Sequence, residues 1–126
     1  MLSAPGLYVG PSPRGGRGVF TSRKLETGDV VELCPVIVVG PADRARLHAT
    51  VLHDYYFVWN GDGAAVALGL GSLYNHSPTP NLDYEMDYAF DQIRFSAGRD
   101  IAAGEELLID YQAGSERATI WFDPVV

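Results

Sequence analysis

The chain has a single cysteine, Cys34, and only three histidines among its 126 residues. One cysteine excludes an intramolecular disulfide and leaves no cysteine cluster for a structural zinc ion. No second histidine or cysteine lies near His76 at the spacing that metal sites use. The sequence therefore predicts an intracellular protein, kept in a reducing compartment, whose chemistry needs no metal.

Long apolar runs and basic residues are also scarce. No segment approaches the roughly 20 apolar residues of a membrane span, and the N-terminus lacks the pattern of a secretory signal. Nine Lys and Arg residues against 16 Asp and Glu residues give a net charge of −7, which does not suit direct binding of nucleic acid. We expect a soluble protein whose acidic surface fits a basic peptide. An acidic surface that serves solubility alone is the alternative.

Turn residues, including 14 Gly and 8 Pro, divide the chain into short apolar segments. Runs rich in β-branched residues and bounded by Gly or Pro are typical of strands. A length of 126 residues fits one domain, and no linker separates two folding units. We therefore predict a single, mainly β domain over residues 1–126 with little helix. The predicted strands lie at 18–22, 29–34, 36–40, 55–59, 82–88, 92–96 and 105–111, and a short helix lies at 41–50.

Strict alternation of apolar and acidic residues marks the segment Leu82 to Tyr88. Successive side chains of a strand point to opposite faces, so Asp83, Glu85 and Asp87 should face outward while the residues between them are buried. The segment 92–96 is its predicted antiparallel partner.

Three separated motifs carry the functional signal: "GGRGVF" at 15–20, "GLGSLYNHS" at 69–77 and "GEELLIDY" at 104–111. Each has a plain structural interpretation when it is taken alone. The glycines of the first motif fit a tight turn, His76 fits a hydrogen-bonded core residue, and Tyr111 fits a core tyrosine with its hydroxyl at the surface. Their occurrence in this order within one short chain favours a shared site.

Together these motifs resemble the SET domain of protein-lysine methyltransferases, over a core of about 14–111 with a C-terminal flank at 112–126. The pattern "ALGLGSLYNHS", followed by Pro80-Asn81, is most similar to the small free-standing SET proteins of viral type. The resemblance implies a β-clip fold in which short strands surround a knot-like threaded C-terminal segment. Neither flank carries the cysteine-rich segment of larger family members.

The resemblance also implies the residues of an S-adenosylmethionine site and a lysine channel. Tyr111 is the implied catalytic residue, and the aliphatic Ile109 implies room for more than one methyl group on the lysine. A simple hydrophobic anchor is an equally open role for Trp121, and two roles stay open for Arg17: pairing with the cofactor carboxylate or plain solvation. The implied cofactor-binding residues are Gly16, Arg17, Gly18, Asn75, His76 and Trp121, and the implied channel residues are Tyr55, Phe57, Ile109 and Tyr111.

The implied activity is methyl transfer from S-adenosylmethionine to a lysine of a basic protein, with a histone-like tail as the first candidate. Similarity to the small viral members also implies a homodimer. A non-catalytic SET-like module that binds cofactor or peptide is the main alternative, although Asn75, His76 and Tyr111 are all present. A β-clip module that binds carbohydrate or ice would need a Thr-rich face, which the sequence lacks.

Overall fold

The computed structural model describes residues 2–112, so Trp121 and the rest of the flank 113–126 lie outside the described residues. Within that range one helix, α1 (Pro41–His48), and one 3-10 turn (Val51–Asp54) accompany short strands. No helix there is long and apolar enough to cross a membrane. The strands are β1 (Leu2–Ser3), β2 (Leu7–Pro11), β3 (Arg17–Thr21), β4 (Val30–Val39), β5 (Tyr56–Trp59), β6 (Gly63–Ala67), β7 (Asn75–His76), β8 (Leu82–Asp87), β9 (Gln92–Ala97) and β10 (Glu106–Ile109).

Two sheets organise these strands and confirm the mainly β prediction. The larger sheet has the order β5-β6-β4-β9-β8, with β1 paired to β4, and the smaller sheet has the order β2-β3-β10-β7. Their apolar faces enclose one hydrophobic core that includes Phe95, Ile93 and Leu107, each fully buried. The smaller sheet brings together the segments that carry the three sequence motifs.

Strand β4 corrects the prediction of two strands separated at Pro35. Val30 to Pro35 pair with β9, whereas Val36 to Val39 pair with β6. Pro35 therefore lies where the strand passes from one neighbour to the other, and its missing N–H is tolerated at that junction. Its carbonyl still accepts a hydrogen bond from the Leu68 N–H at 2.9 Å.

The hairpin of β8 and β9 confirms the antiparallel pair predicted at 82–88 and 92–96. Tyr84 pairs with Phe95, and both side chains are buried, while Asp83 and Glu85 are exposed as the alternation requires. The connecting turn holds no glycine, and Asp91 takes its left-handed conformation at φ 47°. Aspartate is among the few residues with a side chain that visit this region readily.

The C-terminal strand β10 is inserted between β3 and β7, antiparallel to the first and parallel to the second. Asn81, which is 1% exposed, holds β10 from a further side. Its amide nitrogen donates to the Glu106 carbonyl and its amide oxygen accepts from the Leu108 N–H, both at 2.8 Å. Strand β10 is thus held by two strand neighbours and by the Asn81 side chain, and this enclosure agrees with the threaded C-terminal segment that the resemblance implies.

Candidate active site

Asn75 lies at the end of the smaller sheet where the three sequence motifs meet. Its strand β7 pairs with β10 so that Asn75 is opposite Leu108, and β3 lies on the far side of β10. The Asn75 amide nitrogen donates to the Arg17 carbonyl at 3.1 Å and to Glu106 Oε2 at 2.7 Å. The Gly16 to Gly18 motif, the Asn-His pair and the "GEELLIDY" motif therefore meet here.

Gly18 is required by this close approach. A Cβ at Gly18 would collide with the Glu106 carboxylate and would lie 2.8 Å from the Asn75 amide nitrogen. Gly16 has a different reason to be glycine, because its φ of +61° is a left-handed conformation in a turn before β3. Open space surrounds Gly16, whereas Gly18 is packed against the site.

His76 is buried, and a hydrogen bond from the main chain holds its ring. Its Nδ1 accepts a hydrogen bond from the Tyr111 N–H at 3.1 Å, which assigns the ring proton to Nε2 when the imidazole is neutral. Burial lowers the pKa of His76 below its ordinary value, the nearby carboxylate of Asp110 opposes this shift, and Arg14 adds to it. The neutral imidazole is therefore the form that holds the Tyr111 backbone.

Tyr111 presents a protonated hydroxyl at this end of β10. The hydroxyl donates to the Tyr74 carbonyl at 2.9 Å, and the ring lies 5.0 Å from the His76 ring between centroids. Burial, followed by the nearby Tyr55 and Asp54, raises the pKa of Tyr111 to about 12. Tyr111 can therefore orient a reacting group through its hydroxyl, but it does not act as a base at neutral pH.

The carbonyl that Tyr111 contacts is itself held firmly. The Tyr74 side chain is 2% exposed, and its hydroxyl donates to Glu32 Oε1 at 2.7 Å. Burial and the carboxylate of Glu32 raise the pKa of Tyr74 well above its ordinary value. Glu32 also accepts from the Leu70 N–H at 2.9 Å, so one buried carboxylate anchors the apolar run that delivers Asn75 and His76.

The residues predicted for the lysine channel have different surroundings. Tyr55 is exposed and lies close enough to Tyr111 to raise the pKa of Tyr111. Phe57 packs against Tyr84, with ring centroids 5.7 Å apart. Ile109 is 1% exposed and belongs to the hydrophobic core, on the strand position opposite His76.

Three residues at the site were not assigned to it from the sequence. Ser12 donates to both Glu106 carboxylate oxygens, at 2.8 and 3.0 Å, and Arg14 donates to the His76 carbonyl at 3.3 Å. Glu106 belongs to the quoted motif, and its proximity to Asn75 follows once β7 and β10 are paired. Ser12 is 94 positions away from Glu106 along the chain, and no local pattern marks it.

A comparison with protein-family models decides the family. The model described as the SET domain matches residues 16–112. The chain belongs to the SET-domain family. Its fold class and the resemblance drawn from the sequence motifs are thereby confirmed, whereas closeness to the viral members stays a prediction.

A curated relative of this SET domain is the histone-lysine N-methyltransferase, H3 lysine-37 specific, of Schizosaccharomyces pombe. The two are 34% identical over 107 residues, which cover 83% of this chain and 72% of the relative. The matched segment therefore spans most of both chains.

Solved structures agree on the fold of this SET domain. A histone methyltransferase of Plasmodium falciparum is 28% identical, with a TM-score of 0.66 and coverage of 84% of this chain and 96% of that one. Polycomb repressive complex 2 of Chaetomium thermophilum, bound to S-adenosylmethionine, is 23% identical with a TM-score of 0.73. That match covers 91% of this chain and 16% of the larger one, and it shows the fold alone.

Metal-ligating side chains do not converge in the described part of this SET domain. No group of three or more His, Cys, Asp or Glu residues within 2–112 is placed to hold a metal ion. The expectation that the reaction needs no metal stays a prediction.

Proposed function

We propose that this SET domain is an S-adenosylmethionine-dependent protein-lysine N-methyltransferase. The observation that carries the proposal is the parallel pairing of β7 with β10, which brings Asn75, His76 and Tyr111 to one end of the smaller sheet. The S. pombe relative is a histone-lysine methyltransferase, which supports the same activity. The cofactor-binding and channel roles assigned above are part of the proposal.

The residues present fit the cofactor. Both N–H groups of the Asn75 amide donate within the protein, and among residues 2–112 its carbonyl oxygen Oδ1 has no hydrogen-bond partner. That oxygen is an acceptor for the cofactor's protonated α-amino group. Because Gly18 has no Cβ, the main chain there lies close to the Asn75 amide. Gly16, Arg17 and Trp121 would complete the site.

The cofactor supplies an electrophilic methyl group on a sulfonium. The substrate lysine would have to lose a proton to solvent first, because only the neutral amine could accept the methyl group, and the rest of the cofactor would leave as a neutral thioether. Free lysine has a pKa near 10.4. A channel walled by Tyr55, Phe57 and Tyr111 would desolvate the ammonium form and so favour the neutral amine.

Tyr111 would contribute mainly by alignment. The positive charge would pass from the sulfonium to the lysine nitrogen, so the enzyme has little new charge to stabilise. Correct placement of the amine and the methyl group would therefore supply much of the rate. The Tyr111 hydroxyl is fixed by the Tyr74 carbonyl, and weak C–H···O contacts from such oxygens can steer a methyl group. The high pKa of Tyr111 keeps this hydroxyl a donor.

The proposed substrate is a lysine in a basic, histone-like tail of an intracellular protein. The net charge of −7 and the exposed carboxylates of Asp83 and Glu85 on β8 favour a basic partner electrostatically. Assembly as a homodimer is also proposed, because the sequence motifs predict a resemblance to small viral-type SET proteins. The basic partner follows from the charge of this protein, and the homodimer is tested by the mass of the protein in solution.

One experiment tests the activity directly. The protein is incubated with isotope-labelled S-adenosylmethionine, a histone mixture and lysine peptides, and mass spectrometry locates the transferred label. We expect label on lysine side chains of basic segments. Binding of cofactor without any transfer would instead favour the non-catalytic module.

Asn75→Ala should weaken S-adenosylmethionine binding by about 1–3 kcal/mol, because a hydrogen bond in a partly buried site is lost. Calorimetry gives the affinity, and thermal unfolding without cofactor separates a loss of fold from a loss of binding. Ser72→Ala, which removes a nearby side chain that donates to the Ala67 carbonyl, is the control. Equal affinity of Asn75→Ala and the unmodified protein would remove Asn75 from the cofactor site.

Methyl transfer should become faster from about pH 7 to about pH 10, because the neutral fraction of a lysine with a pKa near 10.4 grows over that range. Tyr111 stays protonated there, since its pKa is about 12. Initial rates with saturating cofactor and subsaturating peptide measure the profile, because under these conditions it reports the pKa of the free lysine, and circular dichroism at each pH checks the fold. A fall in rate above pH 8 with the fold intact would contradict the protonation state assigned to Tyr111.

Ile109→Tyr should shift the product from di- and trimethyl lysine toward monomethyl lysine. The added ring and hydroxyl would crowd the amine and hydrogen-bond to it, which prevents realignment for a second transfer. Because Ile109 is packed in the core, the volume-conserving Ile109→Leu serves as the matched control. Mass spectrometry of the product ladder decides the matter, and an unmodified protein that stops at monomethyl lysine with cofactor in excess would contradict the role of Ile109.

A further inference from the structure

The Glu106 side chain is hydrogen-bonded within the proposed cofactor site rather than extended into solvent. Its carboxylate accepts from Ser12 Oγ with both oxygens, and Oε2 also accepts from the Asn75 amide nitrogen at 2.7 Å. The Ser12 hydroxyl is itself fixed, because it accepts from the Arg14 N–H at 3.0 Å. The carboxylate is therefore held by Ser12, which follows β2, and it also accepts a hydrogen bond from Asn75.

Strand geometry explains why Glu106 reaches Asn75. Leu108 is the partner of Asn75 in the parallel pair, and Glu106 lies two residues earlier on the same face of β10. The carboxylate then crosses over Gly18, the position where any Cβ would collide with it. The glycine of the motif and the carboxylate of β10 are thus two parts of one arrangement.

Two acceptors determine how the Asn75 amide is turned. The Arg17 carbonyl and the Glu106 carboxylate are both acceptors, so the NH2 group of Asn75 must face both of them. This leaves Oδ1 directed away from both acceptors. With Glu106 removed, one N–H would lose its partner, and the Arg17 carbonyl alone would hold the amide in this orientation.

We propose that Glu106 is a positioning residue that fixes the Asn75 amide with Oδ1 available to the protonated α-amino group of the cofactor, and that Ser12 holds Glu106 in this role. The inference rests on the proposed function and deepens it. Glu106 acts through Asn75, and its charge does not act directly on the sulfonium.

Two ligands distinguish an effect of Glu106 through Asn75 from a direct effect of its charge on the sulfonium. S-adenosylmethionine and S-adenosylhomocysteine both carry the α-amino group, but only the first carries the sulfonium charge. Glu106→Ala should weaken both ligands by the same factor, about tenfold or more, whereas Glu106→Gln should cost about threefold or less because its amide oxygen still accepts from Asn75. Glu105→Gln removes the neighbouring charge and is the matched control, with unchanged affinity expected.

Calorimetry on the full chain provides the measurement, with thermal unfolding of each variant beside it. Once Asn75→Ala is present, adding Glu106→Ala should cause no further loss of affinity, since the residue it positions is gone. Ser12→Ala, a milder change that leaves the strand intact, should reproduce part of the Glu106→Ala loss. The Ser12→Ala variant keeps the test decisive if Glu106→Ala does not fold.

The outcomes separate this inference from the proposed function. Failure of the unmodified protein to bind either ligand overturns both. Binding that Glu106→Ala and Ser12→Ala leave unchanged overturns the positioning role alone. A larger loss for S-adenosylmethionine than for S-adenosylhomocysteine, or losses that add fully to that of Asn75→Ala, would show that Glu106 acts by its charge and would also overturn it.

Discussion

Tyr111→Phe should lower kcat by about 100-fold or more, a loss of the size that misplacement of reacting groups by about 1 Å produces. The substitution removes only the hydroxyl that donates to the Tyr74 carbonyl at 2.9 Å. The ring, its contact with His76 and the backbone hydrogen bond to His76 Nδ1 all remain. Cofactor affinity should therefore stay close to that of the unmodified protein. Steady-state rates and calorimetry on the same preparation measure the two quantities.

Tyr56→Phe is the matched control for this prediction. Tyr56 is a buried tyrosine whose hydroxyl is hydrogen-bonded to His48 Nδ1 at 3.0 Å, whereas Tyr111 is partly buried. Adjacent strand residues point to opposite faces, so Tyr56 faces away from the side that Phe57 lines. The control should change kcat by less than about threefold. Full activity of Tyr111→Phe, or an equal loss in both variants, would contradict the catalytic role of Tyr111.

Much of the larger sheet could be predicted because its strands have a local signature. The alternation from Leu82 to Asp87 specifies both a strand and its buried face. Strand β6 (Gly63–Ala67) was not predicted, because small residues such as Ala64 and Ala65 have a low intrinsic preference for strands. Both alanines are fully buried between neighbouring strands, so tertiary packing determines their conformation.

The candidate site was predicted only as far as its motifs are local. Asn75, His76 and Tyr111 were recognised as parts of quoted stretches, and the structure joins them through the pairing of β7 with β10. The contact of Ser12 with Glu106 depends on how the N-terminal hairpin packs against the C-terminal strand, which no short pattern encodes. The buried carboxylate of Glu32 was missed for the same reason, because its partner Tyr74 is 42 positions away.

Asn81→Ala should lower the free energy of unfolding by about 2–4 kcal/mol, because two main-chain groups of β10 lose their partner. The buried Leu108 N–H donates to Asn81 Oδ1, and the Glu106 carbonyl accepts from Asn81 Nδ2. The strand that carries Glu106 and Tyr111 would then be held less firmly, so cofactor binding should weaken as well. Chemical denaturation gives the stability, and calorimetry gives the affinity.

Asn81→Asp tests the same assignment through pH. At neutral pH the aspartate still accepts from the Leu108 N–H, but its second oxygen faces the Glu106 carbonyl and repels it. A protonated carboxyl can donate to that carbonyl, so the pKa of the new side chain should be raised in the folded state. The unfolded state then binds fewer protons than the folded state, and the variant should regain stability as the pH falls through its raised pKa. Asp83→Asn, an exposed change on the adjoining strand, should show no such recovery. A stability deficit in Asn81→Asp that is the same at pH 5 and pH 8 would mean that the Asn81 amide does not hold β10 through the Glu106 carbonyl.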